Sequence, residues 1–152
     1  MTTDTQYLPL LERAFELAAM ARGQGDGPYG SLILDVCGRV VAEAGNSVAT
    51  DGCSTRHAEL NAIEQAQARL GRDLSGATLV SSAEPCPMCA GAIYWAGLSR
   101  LVYGASIAAI IRHTGRDQIR LDCRTVLGAS ERTIEVIGPL LEEQALGVLS
   151  VD

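Results

Sequence analysis

The chain has 152 residues, of which 47% are hydrophobic, and its formal net charge at pH 7 is −6. This length suits a single domain over residues 1–152 with a hydrophobic core, and the apolar content excludes a disordered chain. All twelve basic residues are arginines. The acidic balance makes nucleic acid an unfavourable partner, because neutralising phosphates supplies much of the affinity for nucleic acid.

The sequence also bears on the cellular compartment. No apolar run reaches the length that crosses a membrane, and the first four residues, Met-Thr-Thr-Asp, contain no basic segment that could open a secretion signal. Five cysteines fit a reducing cytoplasm better than a disulfide framework. We therefore expect a cytoplasmic protein with no membrane partner.

Hydrophobic periodicity predicts a helix, a strand hairpin and a second helix in the first half of the chain. Apolar residues at helical spacing predict the first helix over Asp4–Ala21, and a glycine-rich loop ends it. Two apolar runs on either side of a turn at 37–39 predict paired strands over Ser31–Val36 and Val40–Ala44. The second helix is expected from Arg56 or His57 to Leu70.

The second half of the chain alternates strands with helices. Its predicted elements are a strand Ala77–Ser82, a helix from Pro85 or Pro87 to Ala96, a strand Leu101–Gly104, a helix Ser106–Ile111, a helical turn Leu121–Leu127, a strand Thr133–Ile137 and a helix Pro139–Val148. This order predicts an α/β fold, a three-layer α/β/α sandwich around a mixed five-stranded sheet.

Two short motifs contain the residue types of a catalytic metal site. His57 and Glu59 lie in the first turn of a predicted helix, and Cys86 and Cys89 lie in the first turn of another. Zinc binds histidine nitrogen and cysteine thiolate in a tetrahedron, and a catalytic site keeps the fourth position for water. We therefore predict that His57, Cys86 and Cys89 hold Zn²⁺, and that Glu59 moves protons to and from the water.

Other interpretations of the cysteine pair exist. A C-x-x-C pair also occurs in redox sites and as half of a structural zinc site. A structural site needs a fourth ligand, and none of the spare candidates has a zinc-like spacing: Cys37, Cys53, Cys123 and His113. The redox interpretation lacks a thioredoxin-like context. Both remain alternatives to a catalytic metal, and a non-enzymatic binding protein with structural zinc is the corresponding alternative function.

A run of arginines occurs near the C-terminal third, at Arg112, Arg116, Arg120 and Arg124. The four-residue spacing is that of one helical face. We interpret the run as a solvated helical or loop face, with a local basic patch as the alternative.

The H-x-E and P-C-x-x-C motifs form a signature of zinc-dependent base deaminases. The stretch from Pro28 to Gly104 resembles the cytidine deaminase superfamily, in the branch that holds guanine deaminases, yeast-type cytosine deaminases and bacterial tRNA adenosine deaminases. Residues 90–96, Ala-Gly-Ala-Ile-Tyr-Trp-Ala, and the tripeptide at 28–30, Pro-Tyr-Gly, look most like the guanine deaminases. The segment after Ala105 departs from the Bacillus-type guanine deaminase tail, which puts the rest of the pocket in doubt.

The resemblance implies roles for individual residues and an oligomeric state. Asn46 lies where the family has an asparagine that hydrogen-bonds the substrate base. Glu143, or its neighbour Glu142, is the candidate for a second proton-handling carboxylate, with two solvated glutamates as the plain alternative. Trp95 serves either base stacking or core packing. A homodimer is also implied. The expected substrate-binding residues are Tyr29, Asn46, Ala58, Glu84 and Trp95.

The resulting hypothesis is the hydrolytic deamination of a nucleobase, with guanine converted to xanthine and ammonia. A tRNA adenosine deaminase and a cytosine or nucleoside deaminase are the alternatives, because pocket shape decides the substrate. The acidic balance and Trp95 argue against the tRNA substrate.

Overall fold

At the centre of the computed structural model, which describes residues 3–150, five strands form one mixed sheet. The strands are β1 (Gly30–Leu34), β2 (Val40–Gly45), β3 (Thr78–Ala83), β4 (Arg100–Ala105) and β5 (Glu135–Ile137). They lie in the order β2–β1–β3–β4–β5. Strand β1 runs antiparallel to β2 and β3, whereas β3, β4 and β5 are parallel. The predicted mixed five-stranded sheet is confirmed.

Helices cover both faces of this sheet. They are α1 (Leu8–Gly23), α2 (Val48–Asp51), α3 (Ala58–Leu70), α4 (Pro87–Ala96), α5 (Ile107–Thr114), α6 (Cys123–Gly128) and α7 (Glu142–Leu149). One buried apolar cluster joins α3, α4 and α6 to the sheet, and a second joins α1, α5 and α7. The three-layer α/β/α sandwich is therefore confirmed. Among residues 3–150, no helix combines the length and the apolar composition that crossing a bilayer requires.

Several observed boundaries differ from the predicted ones by two or three residues: β1 ends at Leu34 instead of Val36, β5 begins at Glu135 instead of Thr133, and α7 begins at Glu142 instead of Pro139. A 3-10 turn over Thr3–Tyr7 precedes α1, which begins at Leu8 instead of Asp4. Proline in the first turn of α1 suits a helix start, since its missing N–H would have no partner there. The short helix α2 has no apolar periodicity and was not predicted. At the start of α2, the backbone N–H of Val48 donates a hydrogen bond of 3.0 Å to Asn46 Oδ1.

Close packing between α1 and the sheet sets the position of β1. A Cβ atom on Gly30 would lie 2.3 Å from the carbonyl oxygen of Ala14, so only glycine allows this approach. Strands β1 and β3 are buried along their whole length, and β3 includes buried serines. The N–H of Gly30 donates to Ser82 Oγ at 3.0 Å. This contact fixes the end of the sheet at which α3 and α4 begin.

Candidate active site

The predicted metal ligands come together where two helices begin beside the central strands. His57 is the residue before α3, Cys86 is the residue before α4, and Cys89 lies in the first turn of α4. His57 Nδ1 lies 3.7 Å from Cys86 Sγ and 3.5 Å from Cys89 Sγ. The three ligand atoms all lie within 4.8 Å of one another. We call these residues the metal triad.

The donor atoms of the metal triad fit a zinc ion. Zinc–sulfur bonds of about 2.3 Å and zinc–nitrogen bonds of about 2.0 Å at a tetrahedral angle imply an N···S separation of about 3.5 Å. The observed values are 3.7 and 3.5 Å. Within residues 3–150, no fourth candidate ligand lies within 4.8 Å of all three atoms. Three protein ligands leave one position of a tetrahedron for water, which is the pattern of catalytic zinc.

The members of the triad hold protons unequally, and only Cys86 is shifted toward its metal-binding form. A hydrogen bond from Cys89 lowers the pKa of Cys86 to about 4, against the opposing effect of burial, and His57 lowers it further. The same hydrogen bond and burial raise the pKa of Cys89. The contact with Cys86 raises the pKa of His57. The triad therefore holds a thiolate at neutral pH, and thiolate is the metal-binding form of cysteine.

The carboxylate of Glu59 is buried beside the triad and held from the sheet. Its Oε1 accepts a hydrogen bond from Ser81 Oγ in β3 at 2.9 Å, and its Oε2 lies 3.0 Å from Cys89 Sγ. Ser81 Oγ in turn lies 3.1 Å from Ser31 Oγ in β1. Glu59 is only 5% exposed. Two strands therefore fix one oxygen of the carboxylate, while the other faces the triad.

A cavity of about 460 Å³ opens onto the triad and Glu59. This volume lies within the range of small-molecule sites. We call it the active-site cavity. Its walls are formed by Tyr29, Asn46, His57, Glu59, Ala83, Glu84, Cys86, Met88, Ile110, Arg116, Asp117, Gln118 and Ile119.

Three of the predicted substrate-binding residues line this cavity, namely Tyr29, Asn46 and Glu84. Asn46 is 8% exposed, and the bond from Val48 occupies its Oδ1, so its Nδ2 remains as a donor. Burial raises the pKa of Tyr29 and keeps its hydroxyl protonated at neutral pH. Ala58 is fully buried at the start of α3 and does not line the cavity.

The carboxylate of Glu84 has a structural role. Its Oε2 accepts from the N–H of Ile107 at 2.7 Å, and its Oε1 accepts from the N–H of Cys123 at 3.3 Å. It thereby joins the end of β3 to the first residues of α5 and α6. Glu84 forms part of the cavity wall, and both oxygens of its carboxylate already have partners.

Two predicted site residues lie elsewhere. Trp95 is 81% exposed near the end of α4, where its ring packs edge-on against Tyr94 with centroids 5.1 Å apart. It does not pack in the core, so the predicted core packing is corrected. It does not line the active-site cavity of the single chain, and base stacking stays a prediction. Glu143 is exposed in the first turn of α7, and Glu142 Oε2 accepts from the N–H of Ser106 at 2.9 Å. Neither glutamate lines the cavity.

The carboxylate that does line the cavity, besides Glu59 and Glu84, is Asp117. Sequence reasoning missed it and its neighbours Arg116, Gln118 and Ile119, which form the outer wall. They lie between α5 and α6 in a stretch without regular structure. Such a stretch has no periodicity, so no local signal indicates which of its side chains face a cavity.

A model of the cytidine and deoxycytidylate deaminase zinc-binding region matches residues 4–105, which contain the metal triad and Glu59. The chain belongs to this family. It is a zinc-binding deaminase, and its chemistry is the hydrolysis of a C–N bond. The structural-zinc and redox interpretations of the cysteine pair are thereby corrected.

Relatives within the family have different named substrates. A probable cytosine deaminase of Schizosaccharomyces pombe is 38% identical over 143 residues, which cover 91% of this chain and 87% of the relative. A tRNA-specific adenosine deaminase of Bacillus subtilis is 38% identical over 106 residues, 69% of this chain and 63% of the relative.

Solved structures of similar proteins include a guanine deaminase. That enzyme, from Nitrosomonas europaea, superimposes with a TM-score of 0.81 at 32% identity, covering 91% of this chain and 80% of its own. A second neighbour, in complex with 8-azaguanine, gives a TM-score of 0.82 at 32% identity over 91% of this chain and 79% of that chain. Structural neighbours of this deaminase thus bind small heterocycles.

Proposed function

We propose that this deaminase converts guanine and water to xanthine and ammonia. The observation that carries the proposal is the pairing of a fixed amide donor, Asn46 Nδ2, with the carboxylate of Asp117 in one cavity beside Glu59. Guanine presents a carbonyl acceptor together with ring and exocyclic N–H donors. Adenine has no carbonyl group and suits this combination less well. The guanine deaminase neighbour over 91% of the chain supports the same choice.

Cytosine is the second candidate. It too carries a carbonyl group and an exocyclic amine, and the probable cytosine deaminase matches 91% of this chain. The cavity of about 460 Å³ leaves ample room for a two-ring base, which favours guanine. A tRNA substrate is less well supported, because the net charge of −6 opposes binding to phosphates.

Proton transfer in the proposed reaction is assigned to Glu59. Zinc held by the triad would supply the nucleophile by lowering the pKa of bound water toward neutrality. Ser81 holds Oε1 of Glu59, so Oε2 is the atom that accepts the proton of the attacking water. Glu59 delivers this proton to the ring nitrogen. It then takes the remaining proton of the hydroxyl group that has added to the base and delivers it to the departing amine, so that the carbonyl forms as the C–N bond breaks and ammonia leaves.

Three other side chains position the base in this proposal. Asn46 donates through Nδ2 to an acceptor on the base, while its Oδ1 keeps accepting the hydrogen bond from the N–H of Val48. Asp117 accepts from N–H groups on the opposite edge of the base. Tyr29 forms a largely apolar wall next to Glu59. The hydrogen bond from Asn46 discriminates between bases, because a mismatched base leaves this buried amide unpaired.

The direct test is ammonia release from the zinc-loaded protein. The substrates compared are guanine, guanosine, adenine, cytosine, cytidine, ammeline and a tRNA stem-loop with a wobble adenosine, with Glu59→Ala as the blank. The proposal expects turnover of guanine above all others. Turnover of cytosine or of the stem-loop in preference to guanine would overturn the substrate assignment and leave the zinc chemistry intact.

We further propose that the chain acts as a homodimer. Trp95, Tyr94 and Met88 expose apolar surface on one helix, α4, with exposed fractions of 81%, 36% and 37%. Large exposed aromatic groups of this kind are typical of protein interfaces. Trp95→Ser should shift the mass measured by light scattering toward the monomer. Met20→Ser on α1, which removes another exposed apolar side chain, should not.

We also propose a cytoplasmic location and one catalytic domain over residues 1–152. Zinc binding requires Cys86 and Cys89 as thiolates, and a reducing compartment keeps them so. Cell fractionation with a tagged full-length chain tests the location.

A further inference from the structure

A second cavity, of about 560 Å³, shares Glu84 with the active-site cavity. Glu84 lines both cavities, but the remaining residues of the second one are different. Its lining includes Arg112 from α5, Arg120 from the following loop and Arg124 from α6. We call it the arginine cavity. The arginine run therefore crosses three elements, because α5 ends at Thr114, and does not form one helical face.

Two of these arginines have no carboxylate partner. Among residues 3–150, neither Arg112 nor Arg120 takes part in an ion pair, whereas Arg13, Arg39, Arg56 and Arg100 do. The carboxylates that line the cavity already accept hydrogen bonds elsewhere. Glu84 accepts from two backbone N–H groups, and Asp122 accepts from the N–H and the hydroxyl of Thr125. Three guanidinium groups thus face two occupied carboxylates in an otherwise acidic chain.

The third arginine is held in place by the fold. Arg124 Nη1 donates to the hydroxyl of Tyr103 at 2.8 Å, and Nη2 donates to the carbonyl oxygens of Val136 and Gly138 at 3.2 and 3.0 Å. Its guanidinium carbon lies 5.8 Å from the centre of the Tyr103 ring. These bonds use three of the five N–H donors of the group. The other donors remain for a ligand, and a fixed guanidinium loses little entropy when it binds one.

We propose that the arginine cavity binds a phosphate monoester of the kind carried by a nucleoside 5′-monophosphate. Guanidinium groups match the oxygens of a phosphate through paired, charge-assisted hydrogen bonds. Ile107 and Ile111 supply apolar wall for the organic part of the ligand. A volume of about 560 Å³ accommodates a ligand of nucleotide size. This inference does not depend on which base the active-site cavity deaminates, because neither Arg112 nor Arg120 lines that cavity.

The test is calorimetric titration of the zinc-loaded, full-length protein at one fixed salt concentration. The ligands are adenosine 5′-monophosphate, adenosine and inorganic phosphate. The variant is Arg112→Ser with Arg120→Ser. The control with the same change in charge is Arg39→Ser with Arg72→Ser, which alters exposed arginines remote in sequence from the cavity. Circular dichroism and zinc content verify that all three proteins fold alike.

We expect the monophosphate to bind and adenosine not to bind. The cavity variant should weaken this binding at least about tenfold, since each lost arginine removes a charge-assisted hydrogen bond, while the control changes it less than about twofold. Binding of inorganic phosphate with equal affinity and the same dependence on Arg112 and Arg120 would support the site and identify free phosphate as its ligand. Binding of neither anion, or equal weakening in the control, would overturn the proposal.

Discussion

Glu59 Oε2 lies 3.0 Å from Cys89 Sγ, so the buried carboxylate borders the metal triad without belonging to it. Substrate, water and zinc therefore have to meet within reach of a single carboxylate oxygen, because Ser81 occupies the other one.

Replacing Glu59 by Gln tests its role in proton transfer. The amide keeps the size of the side chain but cannot accept and return a proton, so we expect turnover to fall roughly 100- to 10,000-fold. Zinc content measured by atomic absorption should remain one ion per chain, because the ligands are unchanged. Near-normal turnover with zinc bound would contradict the assignment.

Ser81 is expected to position Glu59. Ser81→Ala removes the hydrogen bond to Oε1, and loss of such orienting bonds near a metal site lowers activity about 10- to 100-fold. We expect the change in kcat, with little change in KM. Ser31→Ala is the matched control, since Ser31 contacts Ser81 but not the carboxylate. Equal effects of the two substitutions would indicate that the serines serve only packing.

One substitution can distinguish the role of the oxygen from the role of the nitrogen in the Asn46 amide. Asn46→Asp keeps the acceptor for the Val48 N–H and so keeps the local backbone, but it replaces the donor Nδ2 by an acceptor. We expect kcat/KM for the preferred base to fall at least about tenfold, because a donor to the base is lost. Unchanged kcat/KM, with an unchanged melting temperature, would remove Asn46 from the substrate site.

We expect substitutions of Asp117 and of Glu143 to have different effects on kcat/KM. Asp117→Asn alters a wall of the active-site cavity, and we expect kcat/KM to fall about tenfold or more through the loss of an ionised acceptor. Glu143→Gln alters an exposed residue outside the cavity and should change kcat/KM less than about twofold. The reverse result would place the second carboxylate of the site on α7.

The carboxyl group of Asp26 is expected to make the folding stability of the protein depend on pH. Hydrogen bonds from the hydroxyl and the N–H of Thr50 hold the pKa of this carboxyl below its usual value. Its contribution is therefore complete above its unfolded pKa, near 4, and is lost as the pH falls through the lower folded value. Asp26→Asn should lower the melting temperature at pH 7, and the difference from the unaltered protein should shrink in acid. Glu12→Gln, on the exposed side of α1, should show no such trend.

The sequence was sufficient to predict the layers of the fold and the metal triad, for physical reasons. Elements such as α1 and β3 bury apolar side chains in the core. Burial therefore leaves an apolar pattern in the sequence of each element, which can be recognised without knowing the rest of the fold. The ligands His57 and Cys89 belong to short motifs whose spacing follows from helix geometry.

The outer cavity wall and the surface of α4 could not be predicted in the same way. Asp117 reaches the cavity because the chain between α5 and α6 passes over it, which is a tertiary property. Trp95 is large and apolar, and a single chain normally buries such a side chain, yet it is 81% exposed. In the proposed homodimer, the partner would cover this side chain.

The family match ends at residue 105, whereas the outer wall of the active-site cavity is formed by residues 116–119. The zinc ligands and the outer wall of the active-site cavity thus lie in separate stretches of the chain, although Tyr29 and Asn46 belong to the matched part. If Asp117 contacts the base as proposed, changes in this loop would alter the choice of base while the zinc ligands stay unchanged. A mutant library confined to four neighbouring codons, for residues 116–119, is therefore a small search space in which to evolve new substrate preferences.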